Sequence, residues 1–168
     1  MKHKITILIA GLLCCCMMFG CGQQISPHDA KIIYMKNEAD TISFGIELAK
    51  NAKPGTVIAL TGDLGAGKTT LTKSIAKGLE IDDIITSPTF NIVKEYDTGR
   101  LPLYHFDVYR VGDVDEMYEI GCEEYFYGEG VCVVEWADLI EEIMPEDTLW
   151  INIEYGEKEG ERIYKCTF

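Results

Sequence analysis

The stretch ALTGDLGAGKTTLTKSIAKGL (residues 59–79) starts as an apolar run, bends through three glycines and continues as a basic amphipathic helix. Within it, Gly62-Asp63-Leu64-Gly65-Ala66-Gly67-Lys68-Thr69 satisfies the phosphate-binding pattern G-x-x-x-x-G-K-[ST]. Each part has a physical purpose. Glycines let the chain curl so that successive N–H groups face phosphate oxygens, and the helix start adds partial positive charge. Lys68 can reach the outer phosphates, and the Thr69 hydroxyl can ligate Mg²⁺. A strand before the loop and a helix after it supply the context the motif requires, so the sequence predicts a protein that binds a nucleoside triphosphate.

Around this centre the chain alternates strands and helices. KIIYM (31–35) and TVIAL (56–60) read as strands. Residues 37–52 between them read as a helix with Asn37 as N-cap and Ile42, Ile46 and Ala49 on one face. The next helix is expected from Thr69 to Gly78. Two strand-like runs around Asp97-Thr98-Gly99 predict a hairpin, DVDEMYEIG (113–121) a short helix and ADLIEEI (137–143) another. VCVVEW (131–136) reads as a buried strand, and TLWINIEYG (148–156) with RIYKCTF (162–168) as a closing antiparallel pair. Hairpins at both ends imply a mixed sheet, parallel plus antiparallel, in a three-layer α/β domain. With 168 residues, 47% hydrophobic and 26% charged, the chain suits one globular domain rather than two or a disordered polymer.

Three further stretches can complete a triphosphate site. VCVVEW ends an apolar strand in Glu135, which would deliver a carboxylate to a metal beside the loop. TSPTF (86–90) groups Thr86, Ser87 and Thr89 around a proline, as a loop sensing a terminal phosphate would. HFDVYR (105–110) places His105, Asp107 and Tyr109 on one strand face and Phe106 and Val108 on the other. An isolated strand histidine is usually structural, whereas an aspartate facing a triphosphate can orient water. No [NT]KxD guanine-reading motif occurs, which favours ATP over GTP.

The net charge of −13 is unevenly placed. From Val111 to Glu161 there are seventeen acidic residues against the single lysine Lys158, so direct DNA or RNA binding is disfavoured. This half reads either as a solvated acidic face or as a docking surface for a basic protein. Cys122, Cys132 and Cys166 show no zinc spacing and read as free, buried thiols. Residues 1–29 stand apart: MKHKITILIAGLLCCCMMFGC (1–21) has the layout of a secretory or lipoprotein signal. They are expected to be an atypical leader or start-site extension outside the fold, with residues 30–168 forming the domain. Membrane contact, if any, would run only through residues 1–29.

Taken together and in order, GDLGAGKTTL (62–71), SPTF (87–90), YHFDVYR (104–110) and VCVVEWAD (131–138) resemble the TsaE (YjeE) family, the ATPase subunit of the bacterial machinery making N6-threonylcarbamoyladenosine in tRNA. The resemblance implies a single P-loop NTPase domain, Mg²⁺-dependent ATP hydrolysis in the cytoplasm, and TsaB and TsaD subunits as partners. tRNA would be met only through those partners. Gly65, Ala66, Gly67, Lys68, Thr69 and Thr70 would wrap the phosphates, and Thr69 and Glu135 would hold Mg²⁺. Thr41 matches a position near the nucleotide base, Trp136 a nucleotide-binding position, and Lys68, Asp107 and Glu135 the hydrolytic site. A small-molecule kinase is disfavoured because the chain has only Arg100, Arg110 and Arg162 and no arginine-rich lid. A nucleotide-sensing switch with incidental hydrolysis is the other alternative.

Overall fold

A computed structural model describes residues 30–168, so the expectations for the leader lie outside the described residues. Seven strands form one sheet: β1 Lys31–Met35, β2 Thr56–Thr61, β3 Val93–Tyr96, β4 Leu103–Asp107, β5 Val131–Glu135, β6 Leu149–Tyr155 and β7 Arg162–Cys166. Their spatial order is β1-β7-β6-β2-β5-β4-β3. The four central strands β6, β2, β5 and β4 run parallel; β7 and β3 flank them antiparallel, and β1 pairs antiparallel with β7 at the edge. The mixed sheet expected from the terminal hairpins is therefore present. At its centre β2 and β5 are largely apolar on both faces, with all five residues of β5 buried, as a parallel sheet covered on both sides requires.

On one face, helices α1 (Glu38–Asn51) and α2 (Lys68–Gly78) cover a core that includes Ile58, Leu60, Leu71, Ile75, Val133 and Ile151. On the other, α3 (Val114–Glu119), α4 (Cys122–Phe126) and a 3-10 segment (Ala137–Ile143) cover Val57, Ala59, Phe106, Met117, Phe126 and Val134. The Asn37 side chain accepts from the Asp40 N–H and caps α1 as anticipated.

Its buried stripe, however, is Thr41, Gly45 and Ala49, while Ile42 and Ile46 are only half-buried. The reason is close helix packing. A Cβ on Gly45 would sit 2.5 Å from Ser74 Cβ, and one on Gly78 would sit 2.6 Å from Ala49 Cβ. Small residues therefore occupy the seam that hydrophobicity alone assigns to isoleucine.

Three other details differ from the sequence expectations. ADLIEEI is a 3-10 rather than an α-helical segment, with a non-helical kink at Ile140. The short helix α4 carried no recognisable period. Strand β4 ends at Asp107, which leaves Tyr109 off the strand face and stacked on Trp136, with ring centroids 4.8 Å apart. Cys122, Cys132 and Cys166 are free and buried, as expected. Among the described residues, no helix is long and apolar enough to cross a membrane.

Candidate nucleotide-binding site

The glycine loop leaves β2 at the carboxyl end of the parallel strands, where ligands bind in open α/β sheets. Gly62, Gly65 and Gly67 all have positive φ, +122°, +78° and +111°. At Gly62 a Cβ would overlap the Ile153 carbonyl, so both the backbone angle and the close approach to β6 exclude a side chain. Lys68 lies at the first turn of α2, and its ammonium donates to the Gly62 carbonyl at 2.6 Å and the Asp63 carbonyl at 3.0 Å. It also stands 3.5 Å from the centroid of the Trp136 ring, a cation–π arrangement. Burial pushes its pKa below the ordinary lysine value, opposed by the charges of Glu135, Asp138, Asp107 and Asp63.

Glu135 ends β5 beside the loop and is 2% exposed. The Thr69 hydroxyl donates to its Oε2 at 2.9 Å. Its Oε1 meets Thr72 Oγ1 at 3.2 Å and His105 Nε2 at 2.7 Å. The next residue, Trp136, adopts φ +65°. This left-handed turn is strained for a non-glycine residue, and it brings the indole over Lys68.

Opposite this wall, Asp107 ends β4 directly beside Glu135 in the parallel register. Its Oδ2 accepts from Ser87 and Thr89 hydroxyls, each at 2.6 Å, and its Oδ1 from the Tyr109 N–H at 3.2 Å. The TSPTF segment is thereby fastened to the end of β4. Together these residues line an open cleft of about 410 Å³ that also includes Gly65, Gly67, Thr70 and Arg110.

Thr41 does not line that cleft. It is buried on α1, bonded to the Tyr164 hydroxyl at 3.1 Å, in a second recess of about 140 Å³ behind the loop. Ala66, Gly67 and Thr70 line this recess too, so the glycine loop forms the wall between the two spaces. Every site residue expected from the sequence thus lies in one space or the other.

Sequence reasoning missed the outer clamp on the loop. Tyr155 OH donates to the Leu64 carbonyl at 2.7 Å, and Arg162 Nε donates to the Ala66 carbonyl at 2.6 Å. Both come from the β6–β7 hairpin, more than ninety positions from their partners, and no local pattern announces them. Thr72 was also missed, although its position three residues after Thr69 puts both hydroxyls on one helix face.

The Thr69 hydroxyl and Glu135 carboxylate, adjacent at the mouth of the phosphate loop, are hard oxygen donors of the kind Mg²⁺ takes alongside substrate phosphates. The donor set fits the ion.

A glycine loop between a parallel strand and a helix, with an acidic residue ending the neighbouring strand, defines a nucleotide-binding protein of the P-loop NTPase fold. Residues 35–164 match the family model described as "Threonylcarbamoyl adenosine biosynthesis protein TsaE", and the chain belongs to that family. It is 56% identical over 117 residues to the tRNA threonylcarbamoyladenosine biosynthesis protein TsaE of Bacillus subtilis, covering 70% of this chain and 73% of that one. The TsaE of Treponema pallidum is 42% identical over 118 residues, covering 70% and 87%. The TsaE of a Nostoc species is 39% identical over 139 residues, covering 80% and 84%. The crystal structure of Bacillus subtilis YdiB superposes with a TM-score of 0.68 at 45% identity, covering 82% of this chain and 85% of that one.

Proposed function

We propose that residues 30–168 form a Mg²⁺-dependent ATPase domain required for N6-threonylcarbamoyladenosine formation at position 37 of tRNAs reading codons that begin with A. It would act in the cytoplasm with TsaB- and TsaD-type subunits and would not itself transfer the threonylcarbamoyl group. The observation that carries this reading is the Thr69–Glu135 pair, which joins the helix start of the phosphate loop to the end of β5. The names of the relatives support the tRNA pathway.

Each group has a part in this reading. The loop N–H groups from Gly65 to Thr70 bind phosphate oxygens, and Lys68 neutralises their charge. Thr69 and Glu135 would hold Mg²⁺, which when bound neutralises phosphate charge in the transition state. Asp107, at the cleft wall, orients the attacking water or accepts its proton. Trp136 packs against the phosphate end of the nucleotide, and Thr41 marks the recess for the base. The acidic surface leaves tRNA contact to the partners. Hydrolysis by the chain alone is slow, with the partner complex using the ATP-bound state.

Reconstitution tests the whole reading. The full chain would be combined with TsaB- and TsaD-type subunits, tRNA, ATP and the threonylcarbamoyl donor, and modified adenosine read by mass spectrometry of digested tRNA. Repeated turnover should need this chain and be abolished by Glu135→Ala. Equal product without the chain overturns the proposal. ADP formation only with a small-molecule acceptor, with the phosphoryl group recovered on that acceptor and little free phosphate, would make the protein a kinase.

A further inference from the structure

Histidine 105 has no part in the reading above, yet it is fully buried and touches Glu135, the most enclosed carboxylate of the cleft. It sits two positions before Asp107 on β4, paired with Val133 of β5 in parallel register. That placement brings its ring beneath the last residue of β5, so Nε2 meets Glu135 Oε1 at 2.7 Å.

The two oxygens of Glu135 therefore face different ways. Oε1 is turned inward, toward His105 Nε2 and the Thr72 hydroxyl. Oε2 is turned to the cleft, toward the Thr69 hydroxyl. A carboxylate accepts only, so the hydrogen of the short contact resides on Nε2. Nδ1 is buried with no hydrogen-bond partner. The ring thus spends its one donor on Glu135 and has a single polar purpose in the fold. Thr72 is less exclusive, because its hydroxyl also reaches the Lys68 carbonyl at 3.1 Å.

We propose that His105 is a positioning residue: its Nε2–H pins Oε1 of Glu135 and so presents Oε2, in a fixed orientation, to the divalent cation. This rests on the reading of Glu135 as a metal-holding residue. Partners that orient a ligating carboxylate from behind typically contribute tenfold to hundredfold in metal affinity. A histidine here with only a packing role would contribute volume, not direction.

The test uses side chains that keep or move the donor. The amide nitrogen of glutamine superposes on the Nε2 position of histidine, and that of asparagine on Nδ1. Mn²⁺ binding to the full chain, with a non-hydrolysable ATP analogue present, is read by electron paramagnetic resonance of the free ion. His105→Asn should weaken Mn²⁺ binding by roughly tenfold or more, while binding of the analogue without metal is unchanged. His105→Gln should restore most of the loss. Equal weakening by both variants, or by neither, overturns the proposal. Glu135→Ala serves as reference: if Mn²⁺ binding survives it, the metal-holding reading fails first and the positioning role with it. Should the variants not fold, the nitrogen-15 spectrum of wild-type His105 decides. Hydrogen on Nε2 with Nδ1 bare supports the proposal, and the opposite tautomer overturns it.

Discussion

On one side of the cleft, Gly62–Thr69 runs from β2 straight into α2, shaped by main-chain turns and clamped from outside by Tyr155 and Arg162. On the other, the TSPTF segment is held mainly by side chains: Ser87 and Thr89 donate to one oxygen of Asp107, and Lys94 donates to the Thr86 hydroxyl. Around the second wall, exposed side chains gather: Phe90 is 84% exposed, with the Arg110 guanidinium 4.4 Å from its ring centroid. The first wall is part of the fold. The second is fastened by side chains, so a change at Asp107 removes its central anchor and leaves only the Thr86 contacts with β3. In the proposed ATPase this difference would let one wall bind phosphate rigidly while the other responds to what is bound.

Gly62→Ala should break the first wall most severely. The new methyl meets the Ile153 carbonyl in a backbone region that disfavours side chains, for a cost of about 3 kcal/mol or more. Calorimetry should show a fall of roughly 6–12 °C in melting temperature. Lys68→Ala leaves the same wall folded but removes its ammonium. Isothermal titration should show triphosphate binding weakened by about 1.5–3 kcal/mol, or roughly tenfold to a hundredfold.

Asp107→Ala attacks only the second wall. Amide exchange around Phe90 should accelerate by an amount equivalent to about 1–2 kcal/mol. The melting temperature should move by only a few degrees; a large fall would mean that both walls belong to one cooperative unit.

The smallest effect concerns thiols remote from either wall. Burial pushes Cys132 up to about 12 and Cys166 up to about 11, from 9.0. A raised folded value favours the neutral thiol, so this stabilisation is complete below pH 9 and is lost as pH climbs through about 11 to 12. At pH 8, alkylation read by peptide mass spectrometry should spare both residues until denaturant is added.

The contrast between the walls also marks what could be read early. G-x-x-x-x-G-K-T declares its strand, turn and helix because its chemistry is local: glycine angles and a helix start require neighbours in sequence. VCVVE declares a buried strand ending in a carboxylate for the same reason. TSPTF read as a polar, switch-like turn, but its anchor could not be read, because that anchor is Asp107, eighteen and twenty positions away. The α1 face was misjudged because hydrophobicity reports what is buried, not how closely two helices approach.

The sequence by itself determined the mixed α/β sheet, the phosphate loop with Lys68 and Thr69, and the pairing of that loop with Glu135 and Asp107. The sheet and the loop follow from periodicity and from a motif whose parts are contiguous, and the pairing with Glu135 and Asp107 from the strand-end positions and the family resemblance of VCVVEWAD and YHFDVYR. Only the tertiary structure decided that Thr41 occupies a separate recess behind the loop, that Tyr155 and Arg162 hold the loop from outside, and that His105 stands behind Glu135. Those arrangements arise where strands distant in sequence become neighbours in the sheet, and pairwise contact across such distances leaves no period in the chain.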